Sequence, residues 1–134
     1  MSSYVIDTTI VSRLIRHDPY AMAQLNTVAT SNKLIIVCPM VWYEVRRGLI
    51  AKGATVQMQY LENLFATFVW QDYSHDWEQA AKLWVHRRAK GLPIGDADLL
   101  IGVFALNRDA TLVTNNEKDF VELGINTENW TQAS

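Results

Sequence analysis

Two rhythms of apolar residues alternate along this chain. Short unbroken runs, "YVID" at 4–7, "KLIIVC" at 33–38, "FVWQDYS" at 68–74 and "TLVTNN" at 111–116, have the length and the β-branched or aromatic content of strands. Between them, apolar positions recur every three or four residues. Ile10, Val11, Leu14 and Ile15 do so in "TTIVSRLIRH", as do Val41, Trp42, Val45 and Leu49 in "PMVWYEVRRGLIAKG". Asp18 and Pro19 are placed to cap and open a second helix, and Gly53 to stop the one that Pro39 opens. Helical spacing continues from Ala54, from Asp76 to Lys90, from Asp96 to about Asn107, and over "EKDFVEL". The tripeptide "GIN" at 124–126 reads as a closing edge strand. Continuous apolar strands alternating with helices predict an α/β chain, three-layer α/β/α with a mostly parallel central sheet, as one domain over residues 1–134.

Composition narrows the function classes. The net charge of −2 argues against a protein that holds nucleic acid by general positive charge, though not against local basic patches. No apolar run approaches the ~20 residues of a membrane span, and "MSSYVID" has none of the features of a secretory signal. The expected compartment is therefore the cytoplasm. The single cysteine, Cys38, lies in an apolar run and reads as a reduced core thiol.

Polar chemistry collects where strands end and helices begin. Asp7 closes the first strand. Thr114, Asn115 and Asn116 close a later one, with Asp119 a turn further on. Ligand sites in open parallel sheets lie outside the carboxyl ends of the strands, where strand order reverses. Glu44 and Asp98 sit in the first turns of helices that start at the same end. Each acid has a plain alternative: Asp7 as a helix cap, Glu44 paired with Arg47, Asp96 capping the helix that contains Asp98, Asp98 compensating its dipole, Asn116 as a turn residue and Asp119 on the surface. Jointly they are harder to dismiss. Two carboxylates ~4 Å apart repel by roughly 4 kcal/mol at an effective dielectric of 20, so three in one cleft protonate, loosen the fold or recruit a cation. Oxygen ligands without sulfur or a nearby histidine select Mg²⁺ or Mn²⁺ over zinc. His17, His75 and His86 show no ligand spacing and read as surface residues.

These residues resemble the PIN-domain endoribonucleases, and most closely the VapC-type toxins of bacterial toxin–antitoxin pairs. The likeness runs through "YVIDTTIVSRLI", "YEVRRGL", "GLPIGDADLLIGVFAL" and "LVTNNEKDF" followed by "ENW". Singly these motifs are weak; their order and spacing are specific. The resemblance implies a PIN-like fold with Asp7 and Asp98 as metal ligands. Glu44 is implied as a ligand or a base acting through water, alongside Asn116 and Asp119, with Thr8 and Thr114 orienting ligands and water. Many family members have an aspartate at the position of Asn116, and an amide brings no charge to a second metal. Asp96 is expected to cap its helix.

The resemblance further implies Mg²⁺-dependent hydrolysis of single-stranded or loop RNA by metal-activated water, with a small antitoxin and a second copy of the chain as partners. Arg13, Arg16, Arg46, Arg87 and Arg88, with Arg47 and Lys90, are candidates for a basic rim that meets RNA phosphates. Trp42, Tyr43, Tyr60, Leu64 and Phe65 are candidates for partner surfaces, with core packing as the alternative. Competing readings are a DNA or flap-type nuclease, a Mg²⁺-dependent phosphatase on an acid-pocket α/β fold, and a catalytically silent PIN binding module.

Overall fold

The computed structural model describes residues 2–131. Five strands, β1 (Ser3–Ile6), β2 (Leu34–Val37), β3 (Val69–Trp70), β4 (Thr111–Val113) and β5 (Thr127–Glu128), form one sheet in the order β3-β2-β1-β4-β5. Every neighbouring pair is parallel. Seven helices connect or flank them: α1 (Thr8–Ile15), α2 (Pro19–Thr30), α3 (Pro39–Lys52), α4 (Thr55–Phe65), α5 (Asp76–Ala89), α6 (Asp96–Asn107) and α7 (Glu117–Val121). The α/β reading of the chain holds, and so do most of its element boundaries. The closing strand does not. It is Thr127–Glu128, beyond "GIN", because Ile125 is buried among Phe120, Leu123 and Gly102, and pairing with β4 begins only after it.

Strand order fixes where a site can form. The chain moves from β1 outward through β2 to β3, then returns to the other flank of β1 as β4. The order thus reverses at β1, and the crevice beyond the carboxyl ends of β1 and β4 is the position where such sheets bind ligands. The register brings Ile6 opposite Val113, so Asp7 and Thr114 leave the two strands side by side.

A core of Val5, Ile10, Val11, Leu14, Leu61, Leu112, Phe120 and Trp130 holds that edge still, all of them fully buried. Helix α6 is apolar on nearly all sides, burying Leu99, Ile101, Val103, Phe104 and Ala105, because it lies between the sheet and α5. Gly102 belongs to this packing: a Cβ there would stand 3.1 Å from both Ile125 Cδ1 and Leu123 Cδ1. The capping signals behave as the sequence suggests for α2 and α3. Asp18 accepts from the Tyr20 and Ala21 amides, and Gly53 stops α3 in the left-handed region at φ 63°.

One polar cluster is buried away from the strand ends. Asp76, 1% exposed, accepts hydrogen bonds from Arg108 Nη1 at 2.9 Å, Asn107 Nδ2 at 2.8 Å and the Ser74 amide at 2.9 Å. Arg108 also donates to Gln71 Oε1, the Phe104 carbonyl and the Asp72 carbonyl, and its guanidinium stacks on the Phe104 ring. Cys38 is buried as expected. Burial pushes its thiol pKa up, and its Sγ contacts Tyr73 Oη at 3.2 Å. Among the described residues no helix is long and apolar enough to cross a membrane.

Candidate active site

Asp7 follows β1 directly and caps α1. Its Oδ1 accepts from the Thr9 amide at 2.9 Å, the Ile10 amide at 3.3 Å and the Thr9 hydroxyl, while Oδ2 accepts from Thr114 Oγ1 at 2.6 Å. Asp7 is thus the cap of α1, and the same carboxylate is bonded to the residue that follows β4. The two threonines extend it. Thr9 Oγ1 accepts from the Asn115 amide and Thr114 Oγ1 from the Asn116 amide, each at 3.0 Å, which ties the turn after β4 to the carboxylate after β1. Sequence reasoning passed over Thr9. The available signal was a second hydroxyl in "DTT", two residues after a strand-ending acid.

Glu44 reaches the same place from α3. Its Oε1 accepts from Thr8 Oγ1 at 2.7 Å, and its Oε2 lies 3.9 Å from Arg47 on the same helix. Asp98 enters from the first turn of α6. Burial raises its pKa, and the carboxylates of Asp7, then Glu44, then Asp119 raise it further, with no donor to offset them. Four acids from four separate segments thus share one field. Burial raises the Asp7 pKa as well, and the four hydrogen bonds only moderate that rise. Asp96 departs from expectation. Gly95, not Asp96, is the N-cap of α6, no side chain bonds the first amides, and Asp96 sits exposed in the first turn. An extended glycine there frees both aspartates from capping, and Asp98 is left facing the other acids.

The donors suit a hard divalent cation: they are carboxylate oxygens backed by hydroxyls, and the three histidines are exposed elsewhere. Among the described residues no three Asp, Glu, His or Cys side chains already stand at metal-holding separations. The reason is visible in the bonding. Asp7 is held by its threonines and Glu44 by Thr8, so the acids act on one another as charges without closing into a cage. An open set of this kind fits an ion that keeps several of its waters, as Mg²⁺ does.

The PIN-domain family model matches residues 4–126, almost the whole chain. The chain belongs to the PIN-domain family. Among curated proteins, Ribonuclease VapC2 of Rickettsia felis is 29% identical over 95% of this chain and 97% of its own length. Among solved structures, VapBC2 from Rickettsia felis, bound to a promoter DNA fragment, superposes with a TM-score of 0.85 at 30% identity, over 96% of this chain and 98% of that one. VapBC-1 from nontypeable Haemophilus influenzae gives a TM-score of 0.81 at 24% identity over 97% and 99% of the two chains, a likeness of fold.

Within this PIN domain the remaining candidates divide. Asp119 and Asp98 line one recess of ~460 Å³ with Arg87, Lys118 and Glu122. Arg87 is paired with Glu122 at 3.2 Å, and its buried Nε has no hydrogen-bond partner. On the other side of the acids, Thr8 and Glu44 line a recess that also takes in Arg16. Asn116 sits at the start of α7, its backbone amide bonded to Thr114. The other arginines turn elsewhere. Arg13 pairs with Asp18, Arg46 pairs with Glu62 and stacks on Trp42, and Arg88 stacks on Trp84. Lys90 ends α5, exposed. Of the proposed partner-surface residues, Tyr43 is exposed, Tyr60, Leu64 and Phe65 are half-buried against the core, and Trp42 is half-buried beside Trp70 and Arg46.

Proposed function

We propose that this PIN domain is a Mg²⁺-dependent endoribonuclease, with Mn²⁺ as an alternative ion, and that it acts as the toxin of a toxin–antitoxin pair. The observation that carries the reading is the position of Asp7, bonded to Thr114 at the crevice where the strand order reverses, within the charge field that Asp98 shares with Glu44 and Asp119. The similarity to curated VapC ribonucleases and to solved VapBC assemblies points the same way. A small cognate antitoxin and a second copy of the chain are the proposed protein partners, and RNA is the substrate.

Asp7 and Asp98 are assigned to hold the ion. When bound, it acidifies water and neutralises charge developing on the phosphate oxygens. Every other part belongs to the chain. The Thr114 and Thr9 hydroxyls fix both oxygens of Asp7, so that its free lone pairs keep one orientation. Thr8 fixes Glu44, which accepts the proton of the attacking water, with Asp119 as the second acceptor on the opposite side. Arg87 and Lys118 on one flank and Arg16 on the other are placed to meet the phosphates on either side of the cut. Water adds to phosphorus, its proton passing to Glu44, the P–O3′ bond breaks, and the departing 3′ oxygen takes up a proton from solvent while Glu44 returns its own to solvent. The products carry 5′-phosphate and 3′-hydroxyl ends.

The test is cleavage of matched single-stranded RNA and DNA oligonucleotides with Mg²⁺ or excess EDTA, followed by end mapping. Expected is cutting of RNA alone, stopped by EDTA, with 5′-phosphate ends. A 2′,3′-cyclic phosphate product, or undiminished cutting in EDTA, contradicts the mechanism. Preferential cutting of DNA contradicts the substrate.

A further inference from the structure

The recess between α1, α3 and α4 shares Thr8, Glu44 and Arg16 with the machinery proposed above, and the rest of its lining has no part in it. Resting on the ribonuclease reading, we propose that it is a base-binding subsite for the RNA nucleotide next to the scissile phosphate. Thr8 and Glu44 belong both to its wall and to the acid cluster, so a strand crossing the acids on that side runs directly into it. Its volume of ~300 Å³ is at the lower end of small-molecule sites.

The lining suits one nucleotide. Ile15, Val45 and Leu49, buried core residues, form an apolar floor, while Ser12 and Gln57 bring polar ends. The Gln57 amide carries a donor and an acceptor side by side, the pairing that reads a base edge. Arg16 and Lys52 complete the wall, both exposed, and neither joins any ion pair among the described residues. Arg16 donates to the Ser12 carbonyl of its own helix and is the phosphate contact proposed above; together with Lys52 it suits a polyanion that must pass the acids.

Gly48 is a separate observation. It stands within α3, where glycine is the least favourable residue after proline. Unlike Gly102, it is not required by packing, because a Cβ there would meet nothing within 4 Å. Yet it lines the recess. A large side chain at this position would stand at the wall of the space that the nucleotide is proposed to fill, and glycine leaves that wall bare.

The experiment uses short single-stranded RNA randomised around the cut, sequenced from the 5′ ends, with wild type, Gly48→Leu and Gln57→Ala. Thermal melting reports folding. Wild type is expected to prefer certain bases at one position beside the cut, and each variant to flatten that preference. KM should rise about tenfold, with kcat changing less than about threefold. Should Gly48→Leu fail to fold, Gln57→Ala alone decides. Failure of wild type to cut any RNA overturns the ribonuclease reading itself. Cutting without base preference, or variants that fold and keep the wild-type preference and KM, overturns the subsite and leaves the ribonuclease reading standing.

Discussion

Asp98→Asn is expected to lower RNA cleavage by about a thousandfold or more while raising the melting temperature of the metal-free protein by ~2–4 °C. The two effects share one cause. Asp98 is driven towards its neutral form by burial and by the carboxylates of Asp7, Glu44 and Asp119, with no hydrogen bond to compensate. A carboxyl whose pKa is raised by folding costs stability once it ionises. That cost is absent below its ordinary value of 3.8 and grows as pH climbs through the raised folded value. Asparagine removes the charge, so the variant and wild type converge in acid and separate in the variant's favour near neutrality. Asp7→Asn should lose cleavage equally without the gain in melting temperature. It would place an amide NH₂ where either Thr114 or Thr9 now donates. Melting curves across pH, with a cleavage assay alongside, check both halves.

Arg108→Met should have the largest effect on stability, a loss of about 3–5 kcal/mol, seen as a fall in melting temperature of ~10 °C or more. Asp76 is almost wholly buried. Burial alone would raise its pKa, but the bonds from Arg108, the Ser74 amide and Asn107 outweigh that and hold it below 3.8. A lowered folded pKa means stability that is present above the unfolded value and lost as pH falls through the folded one. Without Arg108 the carboxylate loses its counter-charge and two of its donors, and the Gln71, Phe104 and Asp72 acceptors lose theirs. The gap between wild type and variant should therefore be widest at neutral pH and narrow in acid. Chemical denaturation at several pH values measures it, and a gap independent of pH would contradict the assignment to Asp76.

This hub also shows where sequence reading reaches its limit. Asp76 and Arg108 stand 32 residues apart in different parts of the fold, each ordinary in its own surroundings, and only tertiary packing pairs them. The acids of the site were legible for the opposite reason. Parallel strands put their carboxyl ends at one edge, and the pairing of β1 with β4 makes the acid after "YVI" and the polar turn after "TLV" neighbours there. Local capping was less secure. Two aspartates after Pro93-Ile94-Gly95 look like a cap followed by a site residue, yet the backbone takes Gly95 as the cap. Glycine caps less well than aspartate, yet Gly95 in extended conformation takes the position and leaves both acids out of the cap. Thr9 was hidden because a hydroxyl gains meaning only through the Asn115 amide it meets, which the sequence places 106 residues away.

That Asp7 and Asp98, in the field of Glu44 and Asp119, form one cation site is tested most directly by calorimetric titration of the metal-free protein with Mg²⁺ and Mn²⁺. Wild type should bind the ion and gain melting temperature on doing so, while Asp98→Asn, folded and at the same pH, should do neither. Wild type that takes up no divalent ion, or an Asp98→Asn variant that binds it as wild type does, would contradict the account.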